Sequence, residues 1–108
     1  MDSLILKKLL LSVITLTFVT HANANPNLAA TCALTYWSAS SAMAAIGNAE
    51  QQKNFSEAGF AIFVAGNSKW GKDTFAVYIE SNKERVKNSN DNQLITNLQN
   101  CIKSNGIN

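Results

Sequence analysis

The sequence of 108 residues contains one histidine, His21, and one proline, Pro26. It contains two cysteines, Cys32 and Cys101, and no C-x-x-C pair. Beyond residue 24 there is no imidazole at all. That excludes a Ser-His-Asp or Cys-His site and any zinc site built on histidine from residues 25–108. Long apolar runs are missing too. The longest stretches are Leu9 to Val19, 11 residues broken by Ser12, Thr15 and Thr17, and Ala58 to Gly66, 9 residues. A helix that crosses a bilayer needs about 20 apolar residues. An excess of one charge is also lacking. Residues 25–108 carry seven basic and six acidic side chains, a net charge of +1. Nucleic-acid binding would call for a basic face, and no such face is expected.

The N-terminal segment is informative. Lys7 and Lys8 precede the apolar run, and Ala22-Asn23-Ala24 follows it. Positive start, short apolar run and small-x-small site together read as a Sec-type signal peptide over 1–24. The expected product, residues 25–108, is a single helical domain in a bacterial periplasm or released to the medium, with no membrane span once the signal is cleaved. A lipid anchor on Cys32 is disfavoured, because Thr31 stands where a smaller residue is usual.

A domain of 84 residues buries a modest core and often needs a staple. In an oxidising compartment, an even pair of cysteines reads as a disulfide. A Cys32–Cys101 bridge would close a loop of 69 residues. The chain-entropy model assigns such a loop about 4 kcal/mol.

Four helices are expected. Asn25 as cap and Pro26 at the first helical position open one over 27–46, with Leu28, Cys32, Tyr36 and Met43 on one stripe and Trp37 in the core. Gly47-Asn48 ends it. A second helix spans 49–65, its stable part opening at Phe55 behind an Asn54/Glu57 capping box. Its buried face is Phe55, Ile62 and Phe63, widened by Phe60 and Val64, with Ala58, Ala61 and Ala65 as a seam. A strand over 60–64 is the alternative, and no other segment offers it a partner. The first two helices resemble a single tetratricopeptide-type hairpin. Residues 66–71 are expected to form a loop, with Asp73 capping a third helix over 73–87. Phe75, Ile79, Asn82 and Val86 lie on one side of that helix, and Tyr78 lies beside them. The fourth helix spans 91–104, opened by an Asn90/Gln93 capping box and carrying Leu94, Ile95, Leu98, Cys101 and Ile102 on one face. Short connections make this an all-α fold, a small four-helix bundle or two stacked helical hairpins, with the disulfide joining first and last helices. The thirteen asparagines of residues 25–108 read mainly as solvated loop positions.

Gly66 to Lys72 fits G-x-x-x-x-G-K, the start of a phosphate-binding loop. The next residue is Asp73 where a Ser or Thr should hold magnesium, so the match reads as chance. Trp70, flanked by Lys69 and Lys72, is the candidate partner-binding group, set against packing of its ring on the adjoining helices. Glu57, Glu80 and Glu84 are the carboxylates available to a glycan-cleaving site, although lysine neighbours mark them as solvated. Lys83, Arg85 and Lys87, taken together, do not form one basic stripe.

The leading expectation is a non-catalytic exported protein with no cofactor and no metal. It binds a protein or envelope component through a helical face or the Trp70 segment, as a monomer or small homo-oligomer. Inhibitors and immunity proteins of the envelope share its size and architecture, an analogy of form alone. The second expectation is a periplasmic acid holdase, which it resembles in size and cysteine count. Third is a small enzyme acting on cell-wall glycan.

Overall fold

A computed structural model describes residues 24–108. The signal expected over 1–24 lies outside the described residues, apart from Ala24. The described chain is all-α, with four helices: α1 (Pro26–Ala45), α2 (Ala49–Trp70), α3 (Lys72–Lys87) and α4 (Asp91–Lys103). Cys32 and Cys101 form a disulfide that joins α1 to α4, with Cα atoms 5.5 Å apart.

Helix α1 is the hub, packing against each of the other three. Its composition explains why. Small residues dominate it, and Ala29 through Tyr36 are buried without a break. A helix that is apolar all round belongs inside. The expected single stripe is therefore too narrow, because alanines let neighbours close in on several sides. The buried threonines are satisfied along the helix itself. Thr31 Oγ1 donates to the Asn27 carbonyl at 2.9 Å, and Thr35 Oγ1 to the Thr31 carbonyl at 2.7 Å.

Asn25 caps α1 as expected, accepting from the backbone N–H of Asn27 and Leu28. Asn90 and Gln93 form the expected reciprocal capping box on α4. The Asn54/Glu57 box does not form. Asn48 caps α2 by accepting from Gln51 N, so the helix is already under way at Ala49. Asp73 is not a cap either, since α3 starts at Lys72 behind Gly71, with no side-chain cap.

The largest correction concerns residues 66–71. There is no loop, because α2 runs on to Trp70. Gly66 is a packing residue: a Cβ placed there would sit 2.4 Å from Phe75 Cε2. The turn to α3 is made by Gly71, whose φ of +92° suits glycine. Gly59 plays the same part against α1, where a Cβ would meet Trp37 Nε1 at 2.6 Å. The close-approach seam of α2 is therefore Gly59 and Gly66 around Ile62. Of the expected alanine seam only Ala58 is buried, with Ala61 and Ala65 half-buried. Phe60 and Val64 do not widen the core. They are 61% and 48% exposed, because each lies about 200° round the helix from buried Ile62.

Two polar side chains of α3, Asn82 and Arg85, join it to α1. Asn82 Nδ2 donates to Asn27 Oδ1 at 2.8 Å, and Arg85 Nη2 donates to Thr31 Oγ1 at 2.8 Å and to Asn82 Oδ1 at 2.7 Å. These bonds pin the second half of α3 to the first half of α1. The C-terminal tail docks there as well. The Asn25 N–H donates to the Gly106 carbonyl at 2.7 Å, and Asn105 and Gly106 are buried.

Candidate functional site

The expected partner-binding group is divided by the fold. Trp70 ends α2 half-buried, its ring stacked on Phe75 with centroids 5.6 Å apart. Phe75 is fully buried and also meets Phe63 at 6.4 Å, which in turn meets Trp37 at 5.8 Å. Lys69 and Lys72 are exposed on either side of Gly71. The G-x-x-x-x-G-K segment is helical through Trp70, so its backbone N–H groups are not gathered into a phosphate cradle. Glu80 pairs with Lys83 at 3.5 Å, and Glu57 with Lys53 at 3.9 Å, all on exposed surface. Among the described residues no cluster of His, Cys, Asp and Glu is arranged to hold a metal. Among them also, no helix is long and apolar enough to cross a membrane. Tyr36 is buried beside Phe55, and burial pushes its phenol up to about 12. It is therefore neutral at any ordinary pH.

The concave feature that stands out lies elsewhere. A groove of about 570 Å³ opens where α3 turns into α4 over the second half of α1. Its origin follows from the pins described above. Arg85 meets Thr31, and Cys101 meets Cys32, so both α3 and α4 are held on the first half of α1. The turn between them, through Ser89, borders the groove together with Leu34, Trp37, Ser38, Ser41 and Ala42 of α1. The floor is apolar and built from buried Leu34, Ala42, Val86 and Leu94, with half-buried Trp37. Ser38, Ser41 and Ser89 add hydroxyls above it. Among the described residues, Lys83 and Lys87 are the only charged side chains that line it.

Taking Lys83, Arg85 and Lys87 as one set hides this arrangement. Residues four apart share a helix face, whereas a residue two away points about 160° elsewhere. Lys83 and Lys87 accordingly reach the groove, and Arg85 turns to Thr31 and Asn82. Arg85 lines a second cleft of about 520 Å³ with Asn88, Ser89, Asn92, Gln93, Thr96 and Asn97, all polar residue types. The i,i+4 spacing of the two lysines is present in the sequence. The groove is not, because it is a gap between helix ends set by long-range contacts.

Comparison with protein-family models, curated proteins and solved structures gives no match.

Proposed function

We propose that this chain is a small exported binding protein that acts by recognition rather than catalysis, engaging a protein or envelope component through the groove between α1, α3 and α4. One observation carries the reading: an apolar floor meets a rim whose charged groups are both lysines. Such a surface has affinity for something both apolar and acidic. The lysines of the Trp70 segment stand apart from it.

The test is affinity capture from native envelope extract with the oxidised protein and its Ser41→Trp variant. Ser41 is exposed at the groove, so the substitution fills the groove without entering the core. The expected result is one stoichiometric partner retained by the native protein and lost with Ser41→Trp. Equal retention by both proteins would rule out the groove as the site. A weak spread of many proteins at neutral pH, growing on acidification, would instead favour the holdase reading.

A further inference from the structure

We propose that the occupant of the groove is an amphipathic helix of a partner protein, carrying apolar anchors over two turns and a pair of acidic residues one turn apart on its flank. This rests on the groove being the binding site and goes on to name what fills it.

The dimensions make the case. The floor residues of α1 run from Leu34 to Ala42, a rise of about 12 Å. Apolar anchors at i, i+4 and i+7 of a guest helix span about 10.5 Å, which matches that floor. Between those ends α1 lines the groove with half-buried Trp37 and with Ser38 and Ser41, which are small. Helix axes approach to about 8–10 Å only where the facing side chains permit it.

The charges fix the flank. Lys83 and Lys87 lie four residues apart on α3, about 6 Å along its axis. A guest helix lying alongside α3 matches them with Asp or Glu at its own i and i+4 positions. Lys87 has no ion pair among the described residues, and the Lys83 partner, Glu80, is itself exposed and lies outside the groove. The Lys87 ammonium is therefore available to a guest, and Lys83 reaches one by exchanging its solvent-exposed pair with Glu80. Among the described residues no carboxylate lines the groove to repel an acidic one.

The open side argues for a helix over an acyl chain. The rim is hydroxyl and ammonium. A wholly apolar guest would leave its outer surface in water, whereas an amphipathic helix presents a polar back there. A lone headgroup would also leave the second lysine unmatched.

Fluorescence anisotropy with two synthetic probes tests the proposal on the oxidised protein. Both are 15-residue lactam-stapled helices with leucine at i, i+4 and i+7. One carries Glu at two flank positions four apart, and the other carries Lys there. The Glu probe should bind saturably and the Lys probe should not. Each exposed ion pair contributes up to about fivefold, so Lys83→Glu/Lys87→Glu should weaken the Glu probe by roughly tenfold or more. The same variant should gain affinity for the Lys probe. Ser41→Trp should abolish binding of the Glu probe. Equal binding of the two probes, or binding of neither, overturns the proposal. The same charge-reversed variant goes into the envelope capture. If neither probe binds but the captured partner is still lost with Ser41→Trp, the groove remains the site and the acidic-helix occupant is wrong. If Ser41→Trp leaves capture unchanged, the groove itself is wrong.

Discussion

Substituting Gly66 by alanine separates a packed helix from a flexible loop at residues 66–71. At an unobstructed helix position, Gly→Ala stabilises by about 1 kcal/mol, since alanine loses less backbone entropy on folding. Gly66 is obstructed. Its Cβ would lie 2.4, 2.5 and 2.7 Å from three atoms of the Phe75 ring. That ring is fully buried and held between Phe63 and Trp70, so it has nowhere to retreat. Overpacking of this kind costs about 1–3 kcal/mol. Set against the helix gain, Gly66→Ala should destabilise by up to about 2 kcal/mol, which lowers Tm by up to about 15 °C in a domain this small. Thermal unfolding followed by far-UV circular dichroism measures the shift, and near-UV dichroism reports disturbance of Trp70. Phe75→Leu in the same chain provides the control. With the ring gone, Gly66→Ala should become neutral or stabilising, a coupling of about 1–3 kcal/mol in a double-mutant cycle. A Tm that rises in the single Gly66→Ala variant would refute the argument. The two helices would not then be in contact there, and Trp70 would be free to act as an exposed group.

Three further perturbations probe the frame that holds the groove. Reducing the disulfide, or replacing Cys32 and Cys101 together by alanine, should remove about 4 kcal/mol by loop entropy over the 69-residue separation. Urea midpoints with and without reductant measure it, and a loss under about 1 kcal/mol would show that side-chain packing alone seats α4. Asn82→Ala removes the link between Asn27 and Arg85 and should cost about 1–2 kcal/mol, visible as a lower urea midpoint with an unchanged m value. Tyr36 supplies the pH dependence. Its phenol ionises near 10 when unfolded and at about 12 in the fold. The stability gained by keeping it neutral is complete below pH 10 and is lost as the pH rises from 10 through 12, about 2–3 kcal/mol in all. Brief alkaline titration of native protein against Tyr36→Phe should show that loss in the native protein alone.

Local chemistry made much of this fold readable. Asn25-Pro26 and Asn90/Gln93 open helices just where capping physics places them. The amphipathic stripe of Leu94, Leu98 and Cys101 is buried as its spacing requires. Readings failed where a tertiary neighbour overruled a local signal. Gly66 and Gly71 bracket polar Asn67-Ser68-Lys69, a composition that reads as a turn. Phe75 lies 9 residues beyond Gly66, and only its ring against that glycine shows that Gly66 belongs to the helix. Phe60 and Val64 read as core because the run 60–64 is apolar throughout. A helix with a partner on one side buries only the part of such a run that faces it. Asparagine is structural at more positions than a solvated-loop reading allows: Asn48 caps α2 and Asn105 is buried with a hydrogen bond, while Asn82 is buried on the side of α3 where its spacing places it.

The candidate site was the least legible part, for a geometric reason. Each floor residue has an ordinary explanation on its own helix: Leu34 in an apolar hub, Val86 at the end of one stripe, Leu94 at the start of another. Nothing local to any of them marks a groove. The groove exists only where Leu34, Trp37 and Ala42 of α1, Val86 of α3 and Leu94 of α4 come together around one gap. The disulfide bears on it in two ways. It stabilises a small domain, and it ties α4, the helix that carries Leu94, to α1. On this reasoning, loss of the disulfide should impair recognition under conditions where the helices are still formed, because an α4 released from Cys32 no longer holds Leu94 in the floor.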